Sequence, residues 1–140
     1  MFQISEEGMR AMAAAGSVGV ILPTTAYILR LKRPPVRDML RHGMIVALGS
    51  DFNPNAYCLA MPVVMHLACV NLRLSLAEAL AAATINAAHS LGRGGTHGSI
   101  EVGKVGDLVI LAERRWEHVV YQLGQQDVIR HVVKRGEVVV

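Results

Sequence analysis

An α/β fold with parallel strands, followed by an antiparallel β tail, is the architecture this sequence predicts. Two short apolar runs, Val18 to Pro23 and Met44 to Asp51, lack polar alternation and read as strands buried on both faces. Helix-type segments alternate with these runs, which is the order that builds βαβ units. Near Arg93-Gly94-Gly95 the character changes to short alternating segments punctuated by glycine.

Each element has a local reason. Ser5 precedes Glu6-Glu7 as an N-cap precedes an acidic first turn, and the helix carried by "MRAMAAAG" stops at Gly16. The first strand, "VGVILP", is ended by Pro23. "PPVRDMLRHG" has proline at its start and Gly43 at its end, the asymmetry of a helix. "MIVALGSD" is the second strand, and Pro62 then opens the apolar helix "PVVMHLACVNLRL". Ser75-Leu76-Ala77-Glu78 forms a capping box that starts the helix "AEALAAATINAAHSLG", which Gly92 ends. In the tail, "GSIEVGKVGDLVIL" reads as strand-like, "RRWEHVVYQLG" as a helix, and "VIRHVVKRGEVVV" as two strands joined at Arg135-Gly136-Glu137. Two parallel strands by themselves leave unpaired edges and a bare apolar face, so the chain reads as part of something larger.

The 140 residues fit one domain with a real core, and 18% charged residues with 52% hydrophobic ones argue against disorder. The net charge is only +3, and the dense basic stretch Arg30 to Arg37 has no interleaved aromatics, so nucleic acid is not an expected partner. No apolar run approaches the roughly 18 residues that span a bilayer, so no membrane partner is expected either. Cys58 and Cys69 make neither a disulfide framework nor a zinc-type pair. No secretory leader pattern follows Met1, and a soluble cytoplasmic protein is expected.

Asp51 is the leading chemical candidate, because in α/β folds functional groups gather at the carboxyl ends of the strands. Capping the Asn53-Pro54 turn through its side chain is an equally open reading. Asn53 and Asn55 can present amide donors and acceptors to a polar ligand, or serve as turn-formers around Pro54. The six histidines offer no i, i+2 or i, i+4 pair, and His66 fits a buried, hydrogen-bonded side chain better than a ligand. The glycine-rich "GRGGTHGS" follows a helix and precedes a strand, the wrong order for a phosphate cradle.

The segments "ILPTTAYILRLKRPPVRDMLRHGMIVALGSDFNPNAYC", "EALAAATINAAHSLG" and "HGSIEVGKVGDLVIL" resemble, in that order, the C-terminal part of the imidazolonepropionase family of metal-dependent amidohydrolases. "GSIEVGKVGDLVIL" marks the superfamily at large, whereas "ILPTTAY" with "SDFNPNAYC" points to the narrower family. The resemblance implies the last two strands and helices of a (β/α)8 TIM-type barrel, over residues 1–95. Residues 96–140 would be the C-terminal strands of an accompanying small β-sandwich.

It also implies chemistry. Members of the family open the ring of 4-imidazolone-5-propanoate to N-formimidoyl-L-glutamate, using one divalent metal ion, zinc or iron. Asp51 matches the family's last metal ligand and catalytic carboxylate, Asn53 a substrate-contact position, and Asn55 and Ala56 the next two. At those two positions bacterial relatives tend to carry glycine and a small hydroxyl residue. The family's His-x-His pair is nowhere in this sequence, so the missing N-terminal half of the barrel is an implied partner and the chain by itself is expected to be inactive. The alternatives are a related cyclic-amide hydrolase or deaminase, and a non-catalytic interaction module whose edges are covered by a partner or in a homodimer.

Overall fold

The computed structural model describes residues 4–123 and 127–140. Helix α1 (Glu6–Ala14) starts where Ser5 accepts a hydrogen bond from the Gly8 N–H. Strand β1 (Val18–Ile21), helix α2 (Pro23–Ile28), helix α3 (Val36–Arg41) and strand β2 (Ile45–Leu48) follow. β1 and β2 are parallel and in register, with Ile21 beside Leu48. Both strands end before the run that suggested them. Pro23 does more than end a strand: it is the first residue of α2, a helix absent from the expected order of elements. Its missing N–H is one that a first helical turn leaves unbonded anyway.

Helix α4 (Met61–Leu72) ends at Arg73, which takes a left-handed conformation at φ 60°. Helix α5 (Leu76–Ala83) carries the expected capping box, with Ser75 and Glu78 each accepting the other's backbone N–H. The single helix expected from Ala77 to Gly92 is broken at Thr84 (φ −121°, ψ −92°), and helix α6 (Ile85–Ser90) resumes beyond it. Two polar side chains account for the break. The Thr84 hydroxyl donates to the Leu80 carbonyl at 2.7 Å, and the Asn86 amide leaves the helix to reach the Val46 carbonyl of β2 at 2.8 Å. A tertiary bond therefore sets a break that helix propensity alone would not.

The tail forms an antiparallel sheet in the order β3 (Leu108–Leu111), β4 (Ile129–Lys134), β5 (Glu137–Val138). The strand character expected from Gly98 begins only at Leu108, and the ten residues before it are irregular, with turns and bends among them. Likewise only His118–Tyr121 is helical in "RRWEHVVYQLG" (helix α7), while its expected end at Gly124 lies outside the described residues. The hairpin at Arg135-Gly136 meets expectation, since φ of 52° and 86° at its two central residues is the primed geometry that suits strand twist.

The core lies between the β1–β2 pair and the helices packed on it. Val36, Val46, Val64 and Val120 are its fully buried large side chains. His66 reaches the Val120 carbonyl at 3.0 Å, tying α4 to α7, which is the satisfied role expected of it. Elsewhere apolar surface is left bare. Val20 is 51% exposed, and β3 shows Val109 and Ile110 to solvent.

A carboxylate at the strand ends

Parallel strands end side by side, so the segments following β1 and β2 run against each other. The Gly49 N–H donates to the Ile21 carbonyl at 3.0 Å, extending the ladder one step past the strands. Thr24, 3% exposed, donates its hydroxyl to the Ser50 carbonyl at 2.9 Å. Thr25 donates its hydroxyl to Asp51 Oδ2 at 2.7 Å. Consecutive residues on one segment thus meet consecutive residues on the other.

Asp51 sits in the left-handed region at φ 50°, with an exposed side chain. Its Oδ1 makes no hydrogen bond among the described residues. The open question of whether this carboxylate caps the following turn is decided by Asn53. The Asn53 side chain accepts the Asn55 N–H at 2.9 Å and donates to the Asp51 carbonyl. Asn53 and Ala56 also exchange backbone hydrogen bonds at 3.3 and 3.0 Å. The turn is closed without the Asp51 carboxylate. Around it, Phe52 and Tyr57 pack edge to face with ring centroids 4.7 Å apart.

The expected ligand-facing residues are placed unequally. Asn55 is exposed with its amide free of hydrogen bonds among the described residues, and Asn53 is half-buried with both ends of its amide engaged. Ala56 is fully buried, its N–H given to Asn53 and its carbonyl shared by the Asn53 and Cys58 N–H groups, so it forms the floor of the loop. A cleft of about 290 Å³ opens beside Thr25, lined by Val20, Leu22, Leu31 and Lys32. Thr24 and Thr25 are not among the residues expected at the site. A pair of hydroxyls directly after a strand-ending proline is the signal that points to them.

No three His, Cys, Asp or Glu side chains converge on a point a metal could occupy among the described residues. The histidines turn to other partners: His42 to the Asp38 carbonyl, His131 to the Val140 carbonyl, His118 to Gln122. Cys58 and Cys69 are half-buried free thiols, and burial pushes the Cys69 thiol up from its ordinary value, with Glu78 adding to the effect. The donor set at the strand ends is one carboxylate oxygen. It fits one position in a ligand shell and does not complete one.

The model of the amidohydrolase family matches residues 3–139. A protein from Nematostella vectensis named probable imidazolonepropionase is 63% identical over 138 residues, covering 98% of this chain and 32% of the relative. The Homo sapiens protein of that name is 60% identical over the same span. The chain therefore spans about a third of the length of the curated relatives it matches. Among solved structures, an adenosine deaminase from Xanthomonas campestris with bound zinc superposes with a TM-score of 0.85 at 26% identity, covering 99% of this chain and 35% of that one. E. coli guanine deaminase superposes at 0.83 with 19% identity, covering 99% of this chain and 37% of that one, a likeness of fold.

Proposed function

This chain belongs to the amidohydrolase family, and on that premise we propose that it is the C-terminal portion of an imidazolonepropionase-like hydrolase. The reaction is hydrolysis of a ring C–N bond, converting 4-imidazolone-5-propanoate and water to N-formimidoyl-L-glutamate. The observation that carries this reading is Asp51, held by Thr25 at the carboxyl ends of two parallel strands and not needed by its own loop. In this reading residues 1–95 are the last strands and helices of a (β/α)8 barrel, and residues 96–140 are strands of a small β-sandwich. The parallel β1–β2 pair and the antiparallel β3–β4–β5 sheet support that division.

Asp51 would supply one ligand to a divalent ion, zinc or iron, whose other ligands lie beyond these 140 residues. When bound, such an ion supplies Lewis-acid activation of water. Asp51 would also be the carboxylate that takes and relays the proton of that water. Asn55 and Asn53 would line the substrate side of the loop above Ala56. The missing part of the barrel would cover the bare edge of β1 and the exposed Val20, and a second copy of the chain is the alternative cover. Two free thiols suit a reducing compartment, and the cytoplasm belongs to the same reading.

The test is Asp51→Ala in the longest natural polypeptide carrying this segment. Turnover and bound metal should both be lost while the unfolding transition persists, because the residue is exposed and packs against no core. Unchanged metal content in that variant would refute the assignment. The 140-residue chain alone should retain no stoichiometric zinc or iron and should not turn over the imidazolone.

A further inference from the structure

We propose that Thr25 is a positioning residue for Asp51, fixing the carboxylate so that Oδ1 is the oxygen presented to a ligand; the inference rests on the reading of Asp51 as a metal ligand.

Asp51 stands at φ 50°, in the left-handed region that aspartate enters more readily than most non-glycine residues. Here the loop is stapled at three consecutive steps: Gly49 to Ile21, Ser50 to Thr24, and Asp51 to Thr25. The first two bonds fix the backbone. The third acts on the carboxylate itself. Thr25 lies in the first turn of α2, where its own carbonyl accepts the Leu29 N–H, so the backbone behind the hydroxyl is anchored. A β-branched side chain restricts rotation about χ1, which aims the hydroxyl better than a serine would. The bond it gives is charge-assisted, at 2.7 Å.

The loop does not need this bond. Asn53 closes the turn, and the Thr24 bond, formed by a nearly buried side chain, already joins the two segments. What the Thr25 bond adds is orientation: it engages Oδ2 and leaves Oδ1 free. Ordering a ligating carboxylate before a ligand arrives removes a cost from binding, which is how outer hydrogen bonds tune metal sites.

The experiment uses the longest natural polypeptide carrying the segment, stripped of metal and titrated with zinc alone. Thr25→Val should weaken zinc binding by about 10–100-fold and lower kcat more than it raises KM, while the melting temperature of the metal-free protein stays unmoved. Thr25→Ser, which keeps the hydroxyl, should recover most of the affinity. Should the valine variant fail to fold, Thr25→Ala reports the same loss without the added methyl. Zinc affinity equal to that of the unmodified protein in both Thr25→Val and Thr25→Ala would overturn the proposal. So would serine and valine variants that are equally weak. Full zinc affinity in Asp51→Ala would instead remove the ligand reading itself, whatever the threonine variants do.

Discussion

Asp51 and Gly98 show how single positions are constrained by segments distant in sequence. Gly98 has φ +92°, and a Cβ there would lie 2.7 Å from the Ile85 Cα, 2.8 Å from the Ala88 Cβ and 3.0 Å from the Thr84 carbonyl oxygen. Two of these are backbone atoms and none is the yielding end of a long side chain. Gly98→Ala should therefore cost about 2–4 kcal/mol, combining left-handed strain with overpacking, read as a lower urea midpoint at an unchanged slope. The sequence suggests a connector at Gly92 to Ser99. That this connector is packed against the break at Thr84 shows only in the atoms surrounding Gly98. Asp51 is the converse case. Its type and its place after an apolar run made it legible, while its hydrogen-bond partner, 26 residues earlier, was not.

Elements here are held by local signals reinforced at a distance. The capping box at α5 also engages Arg37, whose guanidinium contacts Glu78 at 2.6 Å, and hydrogen bonds from Arg37 and the Ser75 N–H hold the Glu78 carboxyl below its ordinary range. Ser75→Ala removes the cap and should lower stability by about 1 kcal/mol in denaturant melts. In the tail, Asp107 binds Lys134 and accepts the Arg135 N–H at 2.9 Å, fastening the approach to β3 onto the β4–β5 hairpin. The same two contacts, Lys134 first, lower its pKa, so its deprotonated form favours the folded state. That stabilisation is present above the ordinary carboxylate value of about 4 and is lost as pH falls through the lower folded value. Glu101 and Glu117 are lowered in the same direction by Ser99 and Arg115. Asp107→Asn should accordingly show a smaller loss of melting temperature between about pH 6 and pH 3 than the unmodified chain. The capping box and the hairpin glycine were readable because their physics is confined to four or five residues. Helix α2, six residues after a strand-like run, and the break at Thr84, beside which Asn86 bonds to Val46, were not.

At the scale of the whole chain, a buried core coexists with bare apolar residues on β1, α2 and the tail sheet. β1 and β2 pair only with each other among the described residues, and Val20, Tyr27, Ile28 and Leu31 are exposed. Amide exchange in the isolated chain should be slowest in α4 and β2, where Val46, Val64 and Ala68 are buried. It should be fast at β5 and the end of the chain, and broad protection of β1 beyond its bonds to β2 would show that its free edge is covered. Light scattering then separates self-association from a folded monomer, since a second copy is one way to hide such an edge. Legible in the sequence were most of the helices and strands, the parallel and antiparallel halves, and a carboxylate at a strand end, because apolar patterning, caps and turn residues act over a few positions. Folding in three dimensions settles which oxygen of Asp51 is free, that Ala56 lies beneath its loop, and that two threonines after β1 hold the loop after β2. Those outcomes depend on where two parallel strands end beside each other, a distance that no local pattern encodes.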